Sequence, residues 1–459
     1  MGSRLVPPAG PPRRLAAAQL TNALGDGAFL VCSALYFTRV VGLTATQIGF
    51  GLTLGWAVGA VAGVPLGHLA DRRGPRGVAA LLAVATSVSV GAFLTARSYP
   101  AFLAAAVLYA CAQCGLSAAR QALLAGLVAP ERRTEVRAYL QSTVNAGLAV
   151  GAALGGVALR IDTRAAYLTV LTVDALSFLA AAAVLLRLPA VRPAPASTGE
   201  PRLAVLRDRP YAVVTLVNAV LLLYMPLISL ILPLWIVGRT AAPDWAAAAL
   251  LVVNTVSVVL FQVRVAARVD GLRTAARYVR SAGLVLAVSC AGFALSASGG
   301  SAWAAAGVLL ASAGLQVVGE MMLAAGAWEI GFALAPADRQ GQYQGFFGSG
   351  VAVARMVGPL LLTTLVLDGG APGWLALGGL FAVAGTAMGP AVRRAERSRA
   401  GQVEQAQQAE QAERSQADAL GRPVAGTAAE DGPGAAPRRA SGHAGGVTST
   451  GGPGSAHRT

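Results

Sequence analysis

The chain has 459 residues, of which 55% are hydrophobic and only 12% are charged, and its formal net charge is +15. Soluble globular proteins are about a quarter charged, so this composition excludes an ordinary soluble domain and indicates a helical membrane protein. All 36 basic residues are arginine. Because lysine is absent, a standard Walker A loop and a retinal Schiff base are excluded as well.

Twelve apolar stretches, here called spans 1 to 12, follow one another along the chain. A helix of ~20 apolar residues crosses the ~30 Å hydrocarbon core of a bilayer, and each stretch is about that length or longer. We therefore predict an all-α integral membrane fold with twelve transmembrane helices. The spans run over residues 15–40, 45–69, 77–96, 100–128, 134–159, 164–187, 210–238, 243–266, 278–298, 301–333, 339–366 and 372–392.

The soluble segments divide the spans into two halves. Residues 189–209 are rich in Pro and Arg and predict an extended linker. The expected domains are a cytoplasmic N-terminal segment 1–14, a six-helix bundle 15–187, a linker 188–209, a second six-helix bundle 210–392 and a cytoplasmic tail 393–459. The tail from Gly421 to Thr459 has no apolar set to bury, so we predict that it is disordered. The first span lacks a clear cleavage site and is expected to remain in the protein.

The arginines predict the orientation. Cytoplasmic loops carry the excess of basic residues, and with both termini inside, only a few arginines fall on the outer side. Those few are Arg39, Arg97, Arg160, Arg164 and Arg239. We expect a multi-pass protein of the plasma membrane with both termini in the cytoplasm. Topology thus explains the positive charge, and we expect no nucleic-acid partner.

The most distinctive segment is Gly67–Arg76, which joins spans 2 and 3 and is called the 67–76 motif below. It resembles the Gly-x-Leu-Ala-Asp-Arg-x-Gly-Arg-Arg motif of the major facilitator superfamily, at that family's position. Pro75 replaces a residue that is usually basic. The matching residues are Gly67, Leu69, Asp71, Arg72, Gly74 and Arg76. The resemblance implies two pseudo-symmetric six-helix bundles that transport a small molecule by alternating access.

The charge of Asp71 predicts a structural partner. A carboxylate is stabilised at a helix N-terminus, while Gly67 and Gly74 permit close approach and a tight turn. The family resemblance places span 11, which begins near Arg339, opposite this segment. We predict that Asp71, Arg72 and Arg76 hold the cytoplasmic side closed in one state and release it in the other; a basic turn that only sets topology is the simpler alternative.

Polar residues within four spans form stripes at helical spacing, and such residues normally face a bundle interior or a wet cavity. The stripes are Asn22 and Asp26 in span 1, Gln113, Ser117 and Arg120 in span 4, Asn218 with Ser229 in span 7, and Gln316 and Glu320 in span 10. Spans 1, 4, 7 and 10 surround the central cavity in the family that the chain resembles. These residues are therefore the expected substrate or proton pathway.

The acids among them are candidates for proton coupling. Glu320 is preferred, because an ion pair between Asp26 and Arg120 is plausible; a structural acid is the alternative for Glu320. Asp174 and Arg355 are expected to form an ion pair with a coupling or a structural role. Trp235, Tyr224 and neighbouring methionines would give the cavity an apolar part. We expect no metal, no cofactor and no enzymatic activity.

The direction of transport is suggested by span 5. The glycines from Gly147 to Gly156 resemble the antiporter motif of drug exporters, although Ala152 stands where that motif has proline, and helix packing alone also explains them. We predict proton-coupled efflux of small hydrophobic or amphipathic compounds by a monomer. The alternatives are an importer or facilitator of a small metabolite and a membrane receptor or scaffold that does not transport.

Overall fold

A computed structural model of the chain describes residues 9–193, 203–298 and 300–419. Twelve helices within these residues are long and apolar enough to cross a membrane, so the predicted all-α fold is confirmed. They are α1 (Pro11–Val40), α2 (Ala45–Arg73), α3 (Pro75–Thr95), α4 (Tyr99–Leu127), α5 (Pro130–Ile161), α6 (Arg164–Leu186), α7 (Arg209–Arg239), α8 (Trp245–Ala266), α9 (Gly271–Leu295), α10 (Ala302–Ala333), α11 (Ala337–Asp368) and α12 (Gly370–Gly401).

Polar residues at the helix ends satisfy backbone groups that the helices leave unpaired. The side chain of Thr44 accepts a hydrogen bond from the N–H of Gln47, whose own side chain returns to the N–H of Thr44 at the start of α2. The hydroxyl groups of Thr163 and Ser301 accept hydrogen bonds from the N–H groups of Ala166 and Ala304 at the starts of α6 and α10. The boundaries are therefore fixed by local chemistry as well as by apolar length.

The connection between α2 and α3 is shorter than the sequence suggested. Both helices extend into the 67–76 motif, and Gly74 alone separates them. Gly74 has a φ of 92°, which a residue with a side chain rarely adopts. The polar residues of the motif are consequently held on helices and not on a loose loop.

One helix of the second half begins well ahead of its predicted start. The α9 helix begins at Gly271, ahead of the predicted residue 278, because the arginines before the apolar stretch also adopt helix.

The chain divides into two compact units, Met1–Gly401 and Gln402–Thr459, and the helix that contains α12 continues to Ala419. The predicted disorder of 421–459 and the middle of the predicted linker, 194–202, lie outside the described residues.

Glycines bring α1 and α5 into close contact in the first half. A Cβ on Gly151 would overlap the backbone of Leu24, and one on Gly155 would lie 2.9 Å from the carbonyl oxygen of Ala28. The glycine run of span 5 therefore makes a close helix contact, as its spacing predicted, and the partner is α1. Around this pair, α1 also packs on α6, α2 on α4, and α3 on both α4 and α6.

Aromatic residues fill the core of the second half, where α9 and α8 both pack on α10. Trp235 is only 1% exposed and donates a hydrogen bond from its indole N–H to Ser296 Oγ at 3.0 Å. Its ring lies 5.7 Å from that of Trp374. The expectation that Trp235 borders the central cavity is therefore wrong, because this side chain is enclosed between helices of one bundle.

The two halves meet through α2 and α4 against α11, and through α5 against α8 and α10. We call the side of the membrane on which the 67–76 motif lies the motif side, and the other the opposite side. One hydrogen bond between the halves joins α5 and α8: the hydroxyl of Ser142 donates to the carbonyl of Val258 at 3.3 Å. The contacts described next lie between the motif side and the middle of the membrane.

Candidate functional site

Asp71 joins the end of α2 to the beginning of α11. Its Oδ1 accepts a hydrogen bond from the N–H of Gly341 at 2.7 Å, and its Oδ2 accepts one from the N–H of Gln342 at 2.9 Å. Residues Ala337–Arg339 form a 3-10 turn and the α-helical part of α11 begins at Gln340, so both donors are in its first turn, where backbone N–H groups have no partner within the helix. The side chain is only 8% exposed. A buried carboxylate thus caps a helix of the other half, at the place that the sequence predicted.

Glycines on both helices make this contact possible. A Cβ on Gly67 would overlap the carbonyl group of Gly341, and a Cβ on Gly341 would overlap the carbonyl oxygen of Gly67. One turn further into the membrane, a Cβ on Gly345 would overlap the carbonyl of Gly63. The backbones of α2 and α11 therefore touch over two helical turns, and any larger residue would separate them.

The side chain of Gln342 connects a third segment to this contact. Its Oε1 accepts a hydrogen bond from the N–H of Val205 at 2.9 Å, and its Nε2 lies 3.2 Å from Nδ1 of His68. Val205 precedes α7 and His68 is on α2, so one amide links the chain before the second bundle with the first bundle. This role of Gln342 was not predicted from the sequence.

The other residues of the 67–76 motif surround Asp71. Arg76 donates a hydrogen bond to the carbonyl of Leu188 at 3.0 Å, which ties α3 to the chain after α6. Leu69 packs against the core of the first half, and Gly74 forms the turn. Arg72 is partly exposed in the last turn of α2, next to Asp71. Of the predicted gating residues, Gly67 and Asp71 touch α11 directly.

A second contact between the halves joins α5 and α10. The hydroxyl of Thr134 donates to Oε2 of Glu329 at 2.6 Å. The guanidinium of Arg137 lies 5.2 Å from the ring centre of Trp328. With the amide of Gln121 oriented to accept it, Arg137 Nε also donates a hydrogen bond to the side-chain oxygen of Gln121 at 2.9 Å. These residues were not predicted as a site. Glu329 is nine residues after Glu320, which at roughly 100° per residue places it about half a turn away from the polar stripe of span 10.

Asn22 and Arg120 form a polar contact between α1 and α4. With its amide oriented to satisfy both ends, Asn22 accepts a hydrogen bond from Arg120 Nη2 at 2.6 Å and donates to the carbonyl of Ser177 at 3.2 Å. Asp26, which was expected to pair with Arg120, has no hydrogen-bond partner for its buried Oδ1 among the described residues. The predicted ion pair is therefore wrong, because Asn22 occupies the guanidinium instead.

Asp174 and Arg355 do not form the predicted ion pair either. Asp174 is fully buried, lies against Gly25 of α1, and neither of its carboxyl oxygens has a partner in the part of the chain that the structure describes. Arg355 instead lies over the ring of Trp56 on α2, with its Cζ 4.7 Å from the ring centre. The two residues belong to different halves. Gly25 of α1 leaves room for the side chain of Asp174, so α1 covers this carboxyl group and separates it from Arg355.

The remaining stripe residues of α4 lie on the same helix as Arg120. Gln113 donates to the hydroxyl of Tyr109 at 3.1 Å, within α4. Ser117 is exposed, on the side of the helix opposite the exposed Leu108. Gln113 thus bonds within its own helix, and Ser117 is exposed on the face of α4 opposite Leu108.

In the second half, Glu320 of α10 accepts a hydrogen bond from the amide of Asn254 on α8, with Nδ2 and Oε2 2.7 Å apart. Asn254 was missed, although a lone amide in an apolar span is itself a signal. Gln316 is fully buried, and neither amide atom has a partner among the described residues. Oδ1 of Asn218 on α7 also lacks a hydrogen-bond partner among the described residues. Unpaired polar atoms at these depths are costly, which marks them as candidate ligand or water contacts.

One comparison with known proteins identifies a family. The model of the Major Facilitator Superfamily matches residues 15–359. No curated protein matches this chain. The solved structures that resemble it include the human organic anion transporter MFSD10, with 17% identity over 82% of this chain and 99% of that one and a TM-score of 0.61.

Two bacterial structures resemble it over a similar length. A bacterial homologue of the iron transporter ferroportin, in an outward-facing state, has 16% identity over 84% of this chain and 99% of that one, with a TM-score of 0.68. The E. coli fucose:proton symporter has 16% identity over 84% of this chain and 98% of that one, with a TM-score of 0.57. At such identities the likeness concerns the fold alone.

Proposed function

Because this chain belongs to the major facilitator superfamily of transporters, we propose that it exports a small hydrophobic or amphipathic compound in exchange for protons. The transport cycle in this proposal is alternating access, in which the two halves rock around a site in the middle of the membrane. We place the protein in the plasma membrane as a monomer, with the motif side in the cytoplasm.

The observation that carries the proposal is the contact of Asp71 with Gly341 and Gln342. It joins the two halves on the motif side, through two hydrogen bonds to one carboxylate and through the glycine backbones beside them. Such a contact can be made and broken in each cycle, whereas an extensive hydrophobic interface would favour one state strongly. The contacts of Thr134 with Glu329 and of Arg137 with Trp328 support closure of the same side.

Glu320 and Asp26 support the proton-coupled part. A proton antiporter needs a carboxyl group that gains a proton from one side and loses it to the other. Glu320 has a single amide partner, Asn254, and no neighbouring arginine makes an ion pair with it among the described residues. We assign Glu320 as the first coupling group and Asp26, which lacks a partner for Oδ1, as the second.

The direction of transport is proposed from the resemblance of the Gly147–Gly156 run to the exporter motif. The close contact that this run makes with α1 is consistent with such a motif. Amphipathic substrates are favoured because polar groups such as Gln316 lie among apolar helices.

Inverted membrane vesicles test the function directly, since the cytoplasmic face of the protein is then outside. A panel of amphipathic dyes is added with and without an imposed pH gradient, acidic inside. Gradient-dependent accumulation that is lost in Glu320→Gln supports the proposal. Equilibration that ignores the gradient favours a facilitator, and accumulation in right-side-out vesicles favours an importer; either result contradicts the proposal.

A further inference from the structure

One face of α9 changes from apolar to cationic as the helix approaches the motif side. Leu284, Val288 and Leu295 are exposed along a single stripe of this helix. At roughly 100° per residue, three further exposed residues continue the same stripe toward the start of the helix. They are Arg280, Arg277 and Arg273. The side chains of these arginines are therefore directed toward lipid and not toward the interior of the protein.

The neighbouring helix α12 shows the same change. Leu375 is exposed on it, and the exposed Arg393 lies on the same face about five turns further along. The side chain of Arg393 turns back toward the membrane, because its Nη1 lies 3.5 Å from the position of a Cβ on Gly389. That Cβ would meet no other atom within 4 Å among the described residues. The glycine therefore leaves open space beside the guanidinium group.

The packing of α9 on α12 places Arg273 and Arg393 at one level. Helix α9 begins on the motif side and α12 ends there, so the two helices are antiparallel. They meet where the carbonyl oxygen of Arg280 lies 3.2 Å from a Cβ on Gly385. From this contact, Arg273 is about 10 Å and Arg393 about 12 Å toward the motif side. A hydrocarbon span of ~20 residues counted from Gly370 ends just before Arg393, so this is the level of lipid headgroups.

Both arginines also lie on the same side of the helix pair. Gly283 of α9 and Gly385 of α12 mark the faces in contact. Arg273 is about 80° around α9 from Gly283, and Arg393 is about 80° around α12 from Gly385, both in the direction of increasing residue number. Since the helices are antiparallel, these rotations lead to the same side. We call the space between Arg273 and Arg393, with Gly389 at its floor, the α9–α12 groove.

No carboxylate of the described chain neutralises this groove. Neither Arg273 nor Arg393 forms an ion pair with a residue that the structure describes, although Asp270 precedes α9 and Glu396 follows Arg393 by three residues. Arg273 also lies in the first turn of α9, where the helix dipole disfavours a cation. An anion from outside the chain would offset both the mutual repulsion of the arginines and this unfavourable position.

The requirements of topology do not explain the groove. Arginines in a cytoplasmic loop orient a membrane protein wherever their side chains point. The first half has no such surface on α3, its third helix, which packs on α6 as α9 packs on α12. The exposed stripe that begins this helix is apolar and consists of Gly77, Leu81, Val84 and Val88. Cationic residues on a lipid-facing helix surface are thus a particular feature of the second half.

We propose that the α9–α12 groove binds the phosphate group of an anionic phospholipid. Arg273 and Arg393 contact the phosphate from the two walls, since a guanidinium donates two parallel N–H groups to such an anion. Basic clusters at the cytoplasmic ends of membrane helices attract anionic headgroups. The occupant is a lipid and not a soluble phosphate, because exposed Leu284 and Val288 adjoin the arginines on the deeper side and accommodate an acyl chain. This site is independent of the transported compound and of the direction of transport.

Native mass spectrometry of the purified full-length protein tests the inference. The protein is titrated in detergent with phosphatidylglycerol or with phosphatidylcholine that has the same acyl chains, and the affinity of the first bound lipid is measured. We expect phosphatidylglycerol to bind at least tenfold more tightly, because the phosphate of phosphatidylcholine is paired with its own cation. Equal affinities would overturn the inference. Displacement of phosphatidylglycerol by millimolar inorganic phosphate would also overturn it, since the ligand would then be a soluble anion.

Paired substitutions locate the site. Arg273→Gln together with Arg393→Gln should weaken phosphatidylglycerol at least tenfold and change phosphatidylcholine less than twofold, which also shows that the protein is folded. Arg268→Gln together with Arg394→Gln is the matched control and should change both lipids less than twofold. It removes two exposed arginines on the same side of the membrane, but Arg268 precedes α9 and Arg394 is about half a turn from the α9-facing side of α12. Equal losses in the two variants would indicate general charge attraction and overturn the site.

A third variant tests the shape of the groove at constant charge. Gly389→Leu retains every arginine but fills the space beside the guanidinium of Arg393. We expect phosphatidylglycerol to bind at least fivefold more weakly to this variant. Unchanged affinity would show that the lipid does not enter the groove and would overturn the proposal.

Discussion

The Oδ1 atom of Asp71 lies 2.7 Å from the backbone nitrogen of Gly341, so a carboxylate from the first half caps a helix of the second. Two hydrogen bonds from an N-terminal turn to one carboxylate are charge-assisted, and the helix dipole adds to them. Because the contact involves the backbone of α11, it depends on how closely the helices approach and on no particular side chain of that helix.

The first prediction concerns the glycines that allow this approach. Gly67→Ala and Gly341→Ala should each prevent closure of the motif side, because the added Cβ overlaps backbone atoms of the opposite helix that cannot move away individually. We expect the transport rate to fall at least tenfold. It is measured in vesicles that contain matched amounts of inserted protein.

Gly77→Ala is the matched control, because a Cβ at that position on α3 meets no atom within 4 Å. It should transport at the wild-type rate. A normal rate in Gly67→Ala would show that α2 and α11 do not need this contact.

The second prediction concerns the contact of α5 with α10. Arg137 and Trp328 should show a coupling of ~0.5–2 kcal/mol in a double-mutant cycle, as expected for a cation over an aromatic ring. The cycle combines Arg137→Gln and Trp328→Leu, and the measured quantity is the equilibrium between motif-side-closed and motif-side-open protein. Strict additivity would mean that the pair does not contribute to closure.

The third prediction concerns Glu320 and its amide partner. Glu320→Gln should abolish proton-linked efflux while leaving exchange of substrate for substrate, because exchange does not require net proton movement. Asn254→Ala removes the hydrogen bond to Oε2 without removing the acid, so it should shift the pH dependence of efflux and retain a measurable rate. Efflux in Glu320→Gln at more than half of the wild-type rate would exclude Glu320 as the coupling group.

Much of the fold could be predicted because lipid imposes simple requirements on a sequence. Apolar length and arginine placement led to twelve helices, and the structure has them. The errors lie where polar sequence continues a helix: α9 begins at Gly271 because arginines at a membrane surface are compatible with helix and with lipid headgroups. Hydropathy measures the apolar core of a span and not the full length of its helix.

The site was predicted unevenly for a similar reason. The charge of Asp71 predicted a helix N-terminus as its partner, because the two attract each other irrespective of side chains. The family resemblance identified that helix as span 11. The ion pairs assigned to Arg120 and Arg355 were wrong, because their real partners, Asn22 and Trp56, are an amide and an aromatic ring. Charge alone suggests ion pairs, whereas the packing that selects another partner is a tertiary property.

The fourth prediction concerns pH and the opposite side of the protein. Asp162 lies between α5 and α6, where the hydroxyl of Tyr167 donates to its Oδ1 and Arg39 pairs with its Oδ2, each at 2.5 Å. The hydrogen bond from Tyr167, followed by the contact with Arg39, lowers the pKa of Asp162. A carboxyl group with a lowered pKa stabilises the folded state above its unfolded pKa of ~3.9, and this contribution is lost as the pH falls through the folded value.

Asp162→Asn should therefore lower the melting temperature slightly at neutral pH, since the side chain is half exposed and solvent screens it. The difference from the wild type should stay constant above about pH 5 and shrink below about pH 4. Thermal unfolding in detergent across this range measures it. A difference that grows on acidification would contradict the assignment.

The fifth prediction tests the central claim that Asp71 holds the motif side closed in one of two alternating states. Spin labels are attached at Gly77→Cys and Arg273→Cys, which are exposed positions on opposite halves. The four native cysteines are removed, so that the two labels report only the distance across the motif side. In Asp71→Asn, loss of charge-assisted hydrogen bonds worth ~1.5–3 kcal/mol each should enlarge the long-distance population at least tenfold. The prediction is a two-peaked distance distribution that this substitution shifts to the longer distance, with normal insertion; a single distance that Asp71→Asn leaves unchanged would contradict it.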